Sequence, residues 1–222
     1  MSLFANFDIG DLSKPNNDYL RLLEIIGNSS LNNAFLLLTG AKMGGTTVFT
    51  SPPLNEAVKG MDKILSITIP NITTSIKADI DGKSPFLFYE NLKNFYGGTS
   101  RDITEVEDYA FSLCKSLENV DFSNSIKTVG REVFIGCENL KQVNFSTTLE
   151  TIGDKAFYDC GALERFSIQG KFPKLGDSVF RGSTPNKFTI VIKKEHEGSF
   201  GKWLTENASK FNNEGKDVVL KV

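Results

Sequence analysis

Histidine, tryptophan and cysteine are scarce in this chain: one His, one Trp and three Cys among 222 residues. A Ser–His or Cys–His mechanism would have to run through His196. That residue lies between Glu195 and Glu197 and reads as a surface polar group. An excess of one charge is also missing. Lys and Arg number 25 against 27 Asp and Glu, a net charge of −2. This balance excludes a strongly basic grip on nucleic acid, which depends on clustered Lys and Arg. Long apolar runs are absent too. The longest, Ala34-Phe35-Leu36-Leu37-Leu38, falls far short of the ~20 residues that span a bilayer, so no membrane insertion is expected. No basic segment followed by an apolar one stands near Met1, so no signal peptide is visible. At this length a fold buries roughly 70% of its unfolded surface and needs no disulfide staples.

What the chain does have is phenylalanine, 18 of them, and many are periodic. Phe111, Phe134, Phe157 and Phe180 are spaced 23 residues apart. Cys114, Cys137 and Cys160 keep the same interval, as do Leu117, Leu140 and Leu163. Val120, Val143 and Phe166 follow, then Phe122, Phe145 and Ile168, then Ile126, Leu149 and Phe172. Val129-Gly130, Ile152-Gly153 and Leu175-Gly176 close each unit. Eight slots in register establish an internal repeat. The segment Leu-x-x-Val-x-Phe alternates like a short strand with one buried face. The Gly suits a turn with positive φ or a close backbone approach. The Glu-Val-Phe or Lys-Ala-Phe stretch after it predicts a helical or 3₁₀ turn. One unit cannot bury its own apolar face, so neighbours must stack into a solenoid with identical residues in ladders.

Looser copies extend the repeat. Ile64, Ile67 and Ile69 take the Leu, Val and Phe slots, with Val58 and Met61 ahead of them. Phe86, Tyr89, Leu92 and Phe95 form the next copy, and Gly97-Gly98-Thr99-Ser100 is expected to bulge. Phe180, Ser183, Thr189 and Val191 mark a last, degraded one. About six units are expected in a solenoid over residues 54–197. Residues 1–53 read as an N-terminal helical cap or small module, with helices over Tyr19 to Ile26 and Leu31 to Leu38. Residues 198–222 read as a C-terminal cap. Phe200, Trp203 and Leu204 lie at helical spacing there, Phe211 extends that face, and Asp217 to Val222 forms a closing strand.

These motifs resemble the BspA-like leucine-rich repeats of surface and secreted proteins. The family unit runs Ile-Gly-x-x-Ala-Phe-x-x-Cys-x-x-Leu-x-x-Val-x-Ile-Pro. The stretch Ile152-Gly153-Asp154-Lys155-Ala156-Phe157-Tyr158-Asp159-Cys160-Gly161-Ala162-Leu163 is a near match, and Ser66-Ile67-Thr68-Ile69-Pro70 matches the strand end. The resemblance covers about 140 residues. The expected fold is therefore an α/β repeat, β-rich: a leucine-rich-repeat solenoid with 23-residue units, capped at both ends. The resemblance implies stacked strands with a shallow binding face, an extracellular or cell-surface location, and adhesion or recognition rather than catalysis. The alternative is a structural spacer or self-assembly unit without a foreign ligand.

In such a fold the alternate strand residues point outward. One outward ladder is Ser66, Asn94, Asn119, Gln142 and Arg165; the next is Thr68, Tyr96, Asp121, Asn144 and Ser167. Both are mostly neutral and polar, a surface suited to hydrogen-bonding a protein or glycan ligand, with Tyr96 as an aromatic anchor. A monomer without a cofactor or metal is expected. The three Cys fall in three different units, unlike the short Cys-x₂-Cys loops of metal sites, and read as buried free thiols. Gly40-Ala41-Lys42-Met43-Gly44-Gly45-Thr46-Thr47 lacks the Lys-Ser/Thr pair of a phosphate-binding loop. Glu105, Glu107 and Asp108 cluster as a solvated turn would. No constellation supports an enzyme.

Overall fold

The structure, a computed structural model, describes residues 61–68, 89–97, 103–122, 125–183, 188–211 and 218–222, positions 28, 84, 86 and 87, and the strand segments 4–8, 34–39, 47–49 and 73–76. In chain order the strands are β1 (Phe4–Asp8), β2 (Ala34–Thr39), β3 (Thr47–Phe49), β4 (Ile64–Thr68), β5 (Thr73–Ile76), β6 (Asn94–Tyr96), β7 (Glu105–Val106), β8 (Asn119–Phe122), β9 (Thr128–Val129), β10 (Gln142–Phe145), β11 (Thr151–Ile152), β12 (Arg165–Ile168), β13 (Lys174–Leu175), β14 (Phe188–Ile192) and β15 (Val218–Lys221). One sheet runs β1-β2-β4-β6-β8-β10-β12-β14-β15 and the other β13-β11-β9-β7-β5-β3. Every pairing is parallel. Parallel neighbours need a crossover between them. From β2 to β14 each crossover is a full coil that lays one strand in each sheet. The fold is the expected parallel solenoid, with little helix among the described residues.

Stacked coils put like residues side by side. Val120, Val143 and Phe166 pair in register and are buried, as are Leu117, Leu140 and Leu163. The phenylalanine slot makes the longest column. Phe86, Phe111, Phe134, Phe157, Phe180 and Phe211 stack with centroids 4.7, 5.1, 5.0, 5.4 and 4.9 Å apart and rings within 15° of parallel. Each such pair contributes about 1 kcal/mol beyond the area it buries. Phe211 was expected on the face of the C-terminal helix. It instead takes the last rung of this column, bridged to Phe180. The helix α1 (Glu197–Glu206) buries Phe200 and Trp203, and Trp203 stacks on Phe172 at 4.8 Å.

Three sequence expectations change and one is narrowed. Ala34–Thr39, read as helical, is β2, held between β1 and β4. A short Leu-rich run is ambiguous by periodicity, and strand partners on both sides decide it. In the last copy Ile190 and Ile192 face the core, not Thr189 and Val191, because Phe166 pairs with Ile190 and Ile168 with Ile192. One extra residue in the preceding loop moves the strand by one, and with a period of 2 that exchanges its faces. The Glu132-Val133-Phe134 and Lys155-Ala156-Phe157 stretches, read as a helical or 3₁₀ turn, form neither. Tyr109, Glu132, Lys155 and Ser178 hold φ of 61°, 53°, 52° and 54°, and Leu113, Gly136, Asp159 and Gly182 form a second left-handed column at 59°, 69°, 55° and 75°. With left-handed residues four apart in the turn, every second N–H points to the next coil: Glu132 N–H donates to Asp154 O at 2.9 Å, Phe134 to Ala156 O at 2.8 Å, Gly136 to Tyr158 O at 3.0 Å. A helix would have kept those bonds within the turn. Finally, the unit's Gly serves close approach rather than positive φ. A Cβ on Gly153 would lie 2.6 Å from the Gly130 carbonyl carbon. The expected helix over Tyr19 to Ile26 lies outside the described residues, as do Val58, Ile69 and all of the 97–100 bulge but Gly97.

Two substitutions test these assignments in opposite senses. Gly153→Ala drives a methyl into the backbone of the coil below and is expected to cost about 2–3 kcal/mol. Leu113→Gly relieves a left-handed leucine, at about 1–2 kcal/mol, against the extra freedom of glycine in the unfolded chain. Thermal unfolding by circular dichroism should show a midpoint several degrees lower for the first and unchanged or higher for the second.

Candidate functional site

The outward residues of β4, β6, β8, β10 and β12 form one continuous strand face. Asn94, Asn119, Gln142 and Arg165 are in register along it. Thr68, Tyr96, Asp121, Asn144 and Ser167 form the second row. The expected residues are therefore brought together, with two exceptions in accessibility. Ser66 and Ser167 are 7% and 6% exposed. Serine is the shortest side chain in its row, so longer neighbours cover it, and Gln169 Nε2 donates to Ser167 Oγ at 2.7 Å. The accessible face comprises Thr68, Asn94, Tyr96, Asn119, Asp121, Gln142, Asn144 and Arg165. Tyr96 stands out at 41% exposure.

The amides on this face restrain one another. Asn119 Nδ2 donates to Asn94 Oδ1 at 2.9 Å, and Gln142 Nε2 donates to Asn144 Oδ1 at 3.1 Å. A row of alternating charge borders the face. Glu118 accepts from Lys141 at 2.8 Å and pairs with Lys93 at 3.0 Å. Bonds from Lys141 and then Lys93 hold the Glu118 carboxyl below its ordinary range, and Glu118 in turn raises Lys141. The sequence carries the signal for this row, since residues 93, 118, 141 and 164 alternate Lys and Glu one step before each strand. A second device was also missed. Asp108 Oδ1 accepts the Arg131 N–H at 2.7 Å, and Asp154 Oδ1 accepts that of Asp177 at 2.7 Å. These carboxylates tie one coil's turn to the next. Glu105, close by, is raised by burial and then by Glu107 and Asp108.

Cys114, Cys137 and Cys160 are free and buried. Burial pushes the Cys114 thiol up to about 12 and raises the other two. Cys137 Sγ donates to Phe111 O and Cys160 Sγ to Phe134 O, both at 3.1 Å. Ser183 Oγ donates to Phe157 O in the same way one coil further on. The slot thus requires a small buried donor for a phenylalanine carbonyl, not a reactive thiolate. Among the described residues no group of three His, Cys, Asp or Glu could hold a metal. His196 lies 3.4 Å from Glu195 and packs on the edge of Phe172. The Gly40–Thr47 stretch lies outside the described residues apart from Thr47.

Residues 55–187 match the sequence family described as the BspA type leucine rich repeat region, in six copies. Three solved structures are similar. A leucine-rich repeat protein from Bacteroides ovatus is 20% identical, with 85% of this chain and 40% of that one covered and a TM-score of 0.49. The T. pallidum leucine rich repeat protein is 19% identical over 68% of this chain and 76% of that one, with a TM-score of 0.48. The pneumococcal vaccine antigen PcpA is 21% identical over 76% of this chain and 43% of that one, with a TM-score of 0.49. The chain thus spans less than half the length of the first and third of these. No curated protein matches it.

Two measurements follow. Cys137→Ser keeps a side-chain donor for Phe111 O and should cost under about 1.5 kcal/mol, whereas Cys137→Ala leaves that carbonyl with the Cys114 N–H alone and should cost about 1 kcal/mol more; urea midpoints compare them. Glu118 is the pH-sensitive element of the border row. Its lowered carboxyl stabilises the fold above the ordinary Glu value of about 4.3 and loses that contribution as pH falls through the lower folded value. Being a surface pair, it contributes under about 1 kcal/mol. Glu118→Gln should flatten the acid limb of the stability profile below pH 4.5, and an unchanged limb would refute the assignment.

Proposed function

We propose that this chain, which belongs to the BspA-type leucine-rich repeat family, is a non-enzymatic binding module that recognises a protein or glycan through the strand face of β4–β12. The observation that carries this reading is the accessible, mutually restrained row of amides ending in an exposed Tyr96. Rigid polar groups lose little freedom on binding, and an exposed aromatic supplies the anchor that interfaces favour. The rest of the chain's periodicity is spent on the core, so this face is where its sequence is free to specify a partner. The proposal includes adhesion or recognition by a secreted or cell-surface protein, a setting supported by the family's occurrence in bacterial surface proteins. Among the described residues no helix is long and apolar enough to cross a membrane. Absence of catalysis is part of the same reading. The lone His pairs with a glutamate, and the thiols are buried donors to backbone carbonyls.

The test is an array of immobilised extracellular-matrix proteins and oligosaccharides, probed with the chain and with the triple variant Tyr96→Ala, Asn119→Ala, Asp121→Ala. The variant should lose at least about thirtyfold in affinity for any specific hit, the size of a single hot-spot truncation. Its melting temperature should move by only a few degrees, since all three are surface positions. Hits that bind the variant as well as the parent would place the contact elsewhere.

A further inference from the structure

We infer that the strand face takes a short oligosaccharide carrying a single carboxylate, with that carboxylate on Arg165 and the sugar hydroxyls along Asn94, Asn119, Gln142 and Asn144. The inference rests on the proposal that this face is the contact surface, and it names the ligand class.

Arg165 is the first ground. Its Nε is buried and has no hydrogen-bond partner among the described residues. Lys93, Lys115, Arg131, Lys141 and Lys155, by contrast, each stand beside a carboxylate. A buried donor on a charged group costs more when unpaired than a neutral one does. A guanidinium is completed best by a carboxylate that accepts two parallel N–H bonds. The Nε itself is covered, but the residue is half-buried on the strand face beside Gln142, so a ligand carboxylate would meet it through the terminal guanidinium nitrogens.

The amides are the second ground. A primary amide has two N–H donors and an acceptor oxygen, and a sugar hydroxyl likewise both donates and accepts. The Asn119–Asn94 and Gln142–Asn144 bonds each use one donor and hold the side chains in place. Burying these amides under an apolar partner would strip their water without replacing it.

Size and charge are the third ground. From Tyr96 on β6 to Arg165 on β12 is three interstrand steps, about 14 Å at ~4.8 Å each. Tyr96 is exposed at the far end, with a flat ring for the apolar face of a sugar. Asp121 and Arg165 are the charged residues of the face and they cancel, so a polyanion gains nothing there.

The test uses the full chain on paired oligosaccharides: sialyllactose against lactose, and cellobiouronic acid, with one carboxylate, against cellobiose. Titration calorimetry follows each pair, with immobilised matrix proteins as a separate arm. The acidic member of at least one pair should bind at least about tenfold more tightly than its neutral partner, the strength of one charge-assisted hydrogen bond. Arg165→Gln should erase that difference, and Tyr96→Ala should weaken both members. Arg165→Lys serves if Arg165→Gln does not fold, since it keeps the charge but loses the planar fork and should lose most of the preference. Equal binding of acidic and neutral members, or no sugar binding, overturns the inference. Protein hits sensitive to the Tyr96/Asn119/Asp121 triple variant would then leave the face as the contact surface with the ligand class wrong. Hits insensitive to that variant overturn the contact surface and this inference together.

Discussion

A coil of this chain cannot bury its own apolar residues, and everything else depends on that constraint. Each inner phenylalanine of the Phe86-to-Phe211 column is covered by the ring above and the ring below. The rings lie near 5 Å apart because parallel strands set the rise from coil to coil. A residue that differs in size at one rung strains two neighbours, so the slots repeat. Where the column meets the C-terminal segment, Phe211 supplies the next ring from a chain stretch that carries no repeat of its own.

The same rise explains the features with no counterpart in an ordinary globular core. Coils this close leave no room for a Cβ at Gly153. They also let every second backbone N–H of the turn be satisfied by the next coil rather than within the turn. Left-handed residues such as Glu132 and Lys155 accomplish this, at about 1–2 kcal/mol each. The Asp108 and Asp154 carboxylates and the Cys137 and Cys160 thiols do related work, each pairing a backbone group of an adjoining coil. Cysteine in this fold is a compact donor, and Ser183 fills the same place with a hydroxyl.

With the interior so restricted, chemical variety is confined to the outward strand positions. There the amides bond to one another across and along strands, the border row alternates Lys and Glu, and Arg165 is left without a protein partner among the described residues. A rigid scaffold that presents a polar, near-neutral surface is what the proposed recognition role would use.

The sequence by itself determined the solenoid, the core slots and the two outward ladders, because stacking makes each slot visible as a repeated residue type. It also made a metal centre in the cysteines unexpected, since the three fall in different units rather than at the short Cys-x₂-Cys spacing of metal sites. Only the tertiary structure decided three things. The turn after each glycine is left-handed rather than helical, because hydrogen bonds to the next coil outweigh local propensity. The last strand is shifted by one, because pairing with β12 sets its register and no periodicity survives the loop before it. Ser66 and Ser167 drop out of the accessible face while Arg165 stays in it with its donor unpaired, because exposure depends on the length of neighbours one coil away and those neighbours are far off in sequence.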